Sequence, residues 1–98
     1  MIVRIVKMTF RTEEIVHFKS VFEESKQLIR SFTGVLYLEL LQDQSNPSIF
    51  FTYSHWEREE DLELYRRSDL FKKVWSKTKP LFAAPAEAWS NERLHQLK

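Results

Sequence analysis

The sequence predicts an α+β domain in which a four-stranded antiparallel sheet carries its helices on one face. Three segments, 2–10, 35–41 and 49–56, are rich in β-branched and aromatic residues, as strands are. A long segment between the first two has apolar residues at helical spacing, and a second helical segment follows the third. With 98 residues, 43% of them hydrophobic, residues 1–98 are expected to form a single domain.

The first predicted strand, residues 2–10, is apolar on both faces. One face would hold Ile2, Val6, Met8 and Phe10, and the other Val3 and Ile5. A strand with two apolar faces is typical of a sheet that is covered on both sides. The helices of one chain can cover one side only, so we expect a homodimer in which the sheets of two subunits face each other.

The first helix is predicted after Thr12, which we expect to be its N-cap. Its apolar face recurs in steps of three and four residues, at Ile15, Phe18, Phe22, Ser25, Ile29 and Phe32. The only glycine, Gly34, follows the last of these positions, so we expect it to form a left-handed cap at the helix C-terminus.

The second half of the chain predicts a hairpin, a broken helix and a last strand. Turn-forming residues at 43–48 join the second and third strands. Ser68 and Asp69 form a second N-cap signal, which indicates two short helices, and Pro80 and Pro85 bound their end. Residues 86–94 form a weak fourth strand. The element order β-α-β-β-α-β is that of ferredoxin-like domains.

Composition excludes several classes of function. A net charge of +1 without a basic run gives no reason to expect a nucleic-acid partner, and no apolar run approaches the ~20 residues of a membrane span. The chain has no cysteine, which removes disulfides, thiolate metal sites and cysteine nucleophiles. Its three histidines lack ligand spacing, so we expect no metal site. We expect a cytoplasmic protein.

The candidate site residues lie in the stretch 54–82. Tyr65 follows Leu62 by one helical turn; it is either a core tyrosine or a hydroxyl at a cavity mouth that orients or deprotonates a phenolic substrate. His55 is an ordinary strand-end histidine or a pocket group beside Trp56. Trp75 suits the core or a pocket wall. Arg66 could attract an anion, or remain solvated.

One pattern in the chain resembles a known family, the antibiotic biosynthesis monooxygenase (ABM) domain family of the dimeric ferredoxin-like (dimeric α-β barrel) superfamily. The pattern consists of Trp56-Glu57, Leu62, Tyr65, Ser68-Asp69-Leu70-Phe71, Trp75, Pro85 and Ala88-Trp89. The resemblance implies a homodimer with a pocket between sheet and helices. Members include monooxygenases that oxidise quinols and polyketide quinones with oxygen and without metal or flavin, whereas others degrade haem and many have no known activity.

The sequence departs from the family pattern at three places. Tyr65 stands where many members have histidine, and where the haem-degrading branch has an essential tryptophan. Trp75 stands where that branch has its haem-ligating histidine, and no asparagine is found around Lys7 on the first strand. The resemblance therefore implies that this chain does not degrade haem and uses no cofactor.

Two hypotheses of function follow. In the first, the chain is a monooxygenase that oxidises a quinol-like or polycyclic aromatic substrate with molecular oxygen. Tyr65 and His55 would be its catalytic groups, and Trp56, Phe71, Trp75 and Arg66 would bind the substrate. In the second, the chain is a non-catalytic dimer that binds a small apolar ligand or stabilises another protein. The lack of an unmistakable base favours the second.

Overall fold

The predicted ferredoxin-like fold is confirmed by the computed structural model, which describes residues 1–98. Its elements are β1 (Ile2–Phe10), α1 (Ile15–Arg30), β2 (Val35–Gln42), β3 (Ile49–Trp56), α2 (Glu59–Arg67), α3 (Asp69–Thr78) and β4 (Phe82–Asn91). Two short 3-10 turns, Thr12–Glu14 and Lys79–Leu81, precede α1 and β4. The sheet order is β2-β3-β1-β4, and all neighbouring strands are antiparallel.

The apolar core lies between α1 and one face of the sheet, here called the helix face. Phe10 of β1 stacks on Phe18 of α1 with ring centroids 4.1 Å apart, and Phe50 of β3 meets Phe18 edge-on at 5.1 Å. All three rings are buried. Burial of one such ring contributes roughly 1.5–3 kcal/mol, so this cluster anchors α1 to the two central strands.

The helical segment after β3 is broken in two, as the sequence predicted. Ser68 has extended backbone angles, φ −72° and ψ 156°, and its Oγ accepts a hydrogen bond of 3.1 Å from the Phe71 backbone N–H. This N-cap starts α3 in a new direction. The predicted N-cap at Thr12 is wrong, because Thr12 lies in a 3-10 turn and α1 begins at Ile15 without a side-chain cap.

Gly34 has the positive φ that the sequence predicted, 86°, but it does not cap α1. The helix ends at Arg30, and Gly34 is the third residue of a turn that the Val35 N–H closes on the Phe32 carbonyl at 3.1 Å. A Cβ at Gly34 would overlap the side chain of Asp61. Glycine is therefore required here by its backbone angle and by the approach of α2.

The fourth strand begins earlier than predicted, at Phe82, and it contains Pro85. The register of β4 against β1 shifts between Lys7 and Thr9, at the point where Pro85 lies. Proline has no N–H to donate, and it is tolerated in β4 because this strand is at the edge of the sheet.

No helix covers the face of the sheet opposite the helices, here called the outer face, although Arg93 contacts His55 there. Several of its large side chains are exposed, among them Tyr37 (43%), Leu41 (45%) and Trp89 (45%). No helix of the chain combines the length and the apolar character needed to cross a bilayer.

Candidate functional site

A cavity of about 580 Å³ lies between the helix face of the sheet and helices α2 and α3, and Phe18 and Phe22 of α1 close its far end. It exists because the sheet presents small side chains beneath these helices. They are Thr52 and Ser54 on β3 and Ala86 and Ala88 on β4. The bulky aromatic side chains of the walls keep α2 and α3 from approaching the sheet closely enough to pack fully against these short side chains. The volume lies in the range of small-molecule sites in proteins.

One wall of the cavity is a continuous row of aromatic rings. Trp56 at the end of β3 meets Tyr65 of α2 at a centroid distance of 5.2 Å, and Tyr65 meets Phe71 edge-on at 5.2 Å. Phe71 stacks on Trp75, one turn further along α3, at 5.6 Å. The helix break at Ser68 permits this row, because it turns α3 so that Phe71 faces Tyr65.

The Tyr65 side chain lines this cavity and carries a protonated hydroxyl group. The hydroxyl forms no hydrogen bond with the rest of the chain, and its oxygen is not fully buried. Burial raises the pKa of Tyr65 to about 12. At neutral pH Tyr65 can therefore donate a hydrogen bond to a ligand, but it cannot serve as a base.

One end of the cavity is polar. Arg4 lies on β1 directly between Ser54 of β3 and Ser90 of β4, and its Nη1 donates a hydrogen bond of 3.0 Å to Ser90 Oγ. The neighbouring Trp56 donates through Nε1 to Ser54 Oγ at 3.1 Å. Burial, together with the nearby Arg66 charge, lowers the pKa of Arg4, while Glu63 opposes this effect.

Arg66 lies at the rim of this polar end. Its Nη1 contacts Glu63 Oε1 at 3.2 Å, and both side chains remain about half exposed. Arg67 also lines the cavity. The polar end thus holds Arg4, Arg66 and Glu63, whereas the opposite end is formed by Met8, Phe18 and Phe22.

His55 does not lie in the cavity, contrary to the interpretation that placed it there beside Trp56. Alternation along β3 directs adjacent side chains to opposite faces, so His55 lies on the outer face. Its ring lies 5.0 Å from that of Tyr37 and 5.1 Å from that of Tyr53. Arg93 Nη2 approaches its Nε2 at 3.1 Å, and burial followed by the Arg93 charge lowers the pKa of His55.

The structure brings together five of the six predicted site residues: Trp56, Tyr65, Arg66, Phe71 and Trp75. It also adds Arg4, which the sequence analysis did not propose. The sequence did contain an indication of this role. Arg4 lies on the same face of the first strand as Ile2, Val6 and Met8, and a charged residue on an apolar strand face is unusual. The chain contains no group of three or more histidine or carboxylate side chains placed to hold a metal ion.

These features define an α+β domain with an aromatic cavity between its sheet and its helices. The family model described as antibiotic biosynthesis monooxygenase matches residues 1–76. The chain therefore belongs to the antibiotic biosynthesis monooxygenase family. Comparison with the curated proteins gives no match.

Solved structures show the same fold at low sequence identity. An antibiotic biosynthesis monooxygenase has a TM-score of 0.91 and 16% identity, over 97% of this chain and 100% of that one. A conserved protein from Methanosarcina mazei has a TM-score of 0.88 and 20% identity, over 95% and 93% of the two chains. A protein from Mycobacterium tuberculosis has a TM-score of 0.89 and 11% identity, over 99% of this chain and 98% of that one. At this identity the likeness establishes the fold.

Proposed function

We propose that this chain is a cofactor-independent monooxygenase that oxidises a quinol-like or polycyclic aromatic substrate with molecular oxygen. The observation that supports the proposal most directly is the aromatic row Trp56–Tyr65–Phe71–Trp75, which lines a cavity of about 580 Å³ and carries the free Tyr65 hydroxyl. Flat rings suit such walls, and the hydroxyl supplies one directional contact. Family membership supports the same class of reaction.

The proposed reaction requires an electron-rich substrate. An anthrone-like phenol can lose a proton to give an anion, and this anion reacts directly with O₂. In an anthrone a CH₂ group becomes a carbonyl, and in a quinol one ring C–H becomes C–OH while the two phenolic hydroxyls become quinone carbonyls. In each case one atom of O₂ enters the product, and the other leaves as water with two hydrogens of the substrate. The substrate supplies all four electrons. Arginine side chains at the polar end and a Tyr65 donor at the substrate oxygen would favour this anion.

The chain offers no strong internal base for the proton step. Tyr65 stays protonated, with its pKa raised to about 12, and His55 lies on the outer face. The only carboxylate that lines the cavity is Glu63, which is paired with Arg66. We propose that the substrate proton passes to water at the rim beside Glu63, so that catalysis depends on stabilisation of the anion.

Oxygen consumption tests the proposed reaction. Anthrone, naphthalene-1,4-diol and benzene-1,4-diol would be compared with the protein and with Ala88→Phe, which fills the cavity floor. Because such compounds also oxidise spontaneously, the enzymatic rate is taken as the rate of oxygen consumption with the wild-type protein minus the rate with Ala88→Phe. Equal rates with the two proteins, for every compound, would contradict a monooxygenase function.

A second candidate function is non-catalytic binding of a small aromatic ligand, or stabilisation of another protein. The lack of a histidine in the cavity favours it. A binder would show a ligand-dependent rise in melting temperature and no oxygen consumption above the Ala88→Phe control. The same two assays therefore separate the two candidates.

We further propose that the chain acts as a homodimer joined through its outer face. In one chain this face leaves Tyr37, Leu41 and Trp89 more than 40% exposed, and all helices lie on the opposite side. Large exposed apolar side chains grouped on one face of a sheet are typical of surfaces that bind another protein. A sheet-to-sheet contact would cover it and would bury roughly 2,000 Å² or more, as obligate interfaces do.

A further inference from the structure

We propose that Arg4 makes the cavity selective for aromatic ligands that carry a negatively charged oxygen, either a phenolate or a carboxylate. This inference rests on the proposed function only in that it takes the cavity as the ligand site. It assigns the substrate class by charge, and it gives Arg4 the role of a specificity-determining residue.

The first support is that Arg4 has unused hydrogen-bonding capacity. A guanidinium has five N–H donors, and the structure uses one contact, from Nη1 to Ser90 Oγ at 3.0 Å. No carboxylate lies within ion-pair distance of Arg4, whereas Arg66, Arg58 and other surface cations have one. A partly buried arginine without an acidic partner is costly, and a ligand anion would relieve that cost.

The second support is the balance of charge around Arg4. The cavity is lined by three arginines, Arg4, Arg66 and Arg67, and by one carboxylate, Glu63, which is engaged by Arg66. Burial and, after it, the Arg66 charge lower the pKa of Arg4, while Glu63 raises it, so Arg66 lies close enough to Arg4 for the two positive charges to interact. An oxyanion bound there would interact favourably with the excess charge.

The third support is that the charge is confined to one end. Along the helix face of β1, Arg4 is followed by Val6 and Met8, and Met8 packs with Phe18 in the buried core. Four strand residues span about 13 Å, so the apolar end and the guanidinium are separated by roughly the length of a fused-ring molecule. A ligand would place its rings along the aromatic row and its charged oxygen at Arg4.

The first experiment compares 2-naphthoate with methyl 2-naphthoate, which has the same rings without the charge. Titration calorimetry under nitrogen at pH 7 would measure both ligands. The acid should bind about 10- to 100-fold more tightly than the ester, as expected for a charge-assisted contact. Arg4→Gln should remove this preference and Arg4→Lys should keep part of it. Lys73→Gln, which removes one exposed charge of α3 outside the cavity, should keep all of it.

The second experiment tests a phenolate. The spectrum of 4-nitro-1-naphthol shows its ionisation directly, so its pKa can be followed free and bound under nitrogen. An adjacent guanidinium should lower the bound pKa by about 1–3 units, and Arg4→Gln should return it towards the free value. Lys73→Gln again serves as the control.

The two experiments separate the sources of charge. A preference for the acid over the ester in the first experiment alone indicates that the ligand is a carboxylate. A lowered pKa of the bound naphthol in the second experiment alone indicates a phenolate. Both results together indicate that any aromatic oxyanion binds. Equal affinity for acid and ester with no shift for the naphthol would overturn the proposal, as would absence of binding or preferences that survive in Arg4→Gln. The wild-type comparison requires no variant to fold. Neither assay uses oxygen, so failure here is distinct from failure of the proposed oxidation.

Discussion

Replacement of Tyr65 by Phe separates a ligand-contacting role from a packing role. The change keeps the ring that contacts Trp56 at 5.2 Å, Phe71 at 5.2 Å and Phe32 at 5.3 Å. It deletes only the hydroxyl, which has no hydrogen-bond partner in the chain. The free energy of unfolding should therefore change by no more than ~0.5 kcal/mol, since no internal hydrogen bond is lost.

The effect on the reaction should be much larger than the effect on stability. A hydrogen bond from Tyr65 to a charged substrate oxygen is worth roughly 1.5–3 kcal/mol, which corresponds to a fall in kcat/KM of about 10- to 150-fold. The pKa of about 12 is the reason to expect loss of a donor here, and not loss of a base.

The assay is oxygen consumption by wild type and Tyr65→Phe, with a urea denaturation curve for each. Tyr53→Phe is the control for loss of a tyrosine hydroxyl outside the cavity, and sedimentation of both variants checks that the proposed outer-face dimer is retained. A Tyr65→Phe protein with unchanged turnover and unchanged ligand affinity would refute the assigned role. A fall in stability of several kcal/mol would show that the hydroxyl is structural.

Four further predictions follow from the structure. Gly34→Val should destabilise the protein by about 2–4 kcal/mol, because a β-branched residue resists a φ of 86° and its Cβ would overlap Asp61. Thr33→Val is the neighbouring control. Equal urea midpoints for wild type and Gly34→Val would show that the turn tolerates a side chain. The raised Tyr65 pKa favours the folded state below the unfolded pKa of ~10, so this contribution to the free energy of unfolding should decline as pH rises from ~10 to about 12. Tyr65→Phe should therefore lose less stability than wild type over this range. Parallel curves of stability against pH for the two proteins would argue against the raised pKa. Haem should show no axial ligation at position 75, because the Trp75 indole N–H is a donor; a sharp Soret shift at one haem per chain that Trp75→Phe abolishes would contradict this. Sedimentation at micromolar concentration should give a dimer, and a stable monomer would remove the outer-face interface.

Much of the fold could be predicted because helices, strands and their breaks depend on patterns of residues that are close together in the sequence. The steps of three and four residues through Phe18 and Phe22 define α1, and Ser68 breaks the second helical segment through a bond to a residue only three positions away. Parity along β3 already separated His55 from Trp56, so the placement of His55 in the cavity contradicted a pattern that was visible in the sequence.

Boundaries and caps were less predictable, since neighbouring elements decide them. Gly34 resembles a helix cap by position, yet it is required by a turn and by the approach of Asp61, which is 27 residues away in the sequence. Pro85 resembles a helix stop, yet it lies within β4, because an edge strand can accommodate a missing N–H.

By itself, the sequence determined the order of the elements, their periodicity and the aromatic character of the stretch from Trp56 to Trp75. Only the tertiary structure decided that these rings form one wall, and that a floor of small side chains leaves a cavity beneath them. It also placed Arg4 beside Ser90, 86 residues away, and near Arg66. The physical reason is that elements depend on neighbouring residues, whereas a cavity and its charge depend on contacts between segments that are distant in the chain.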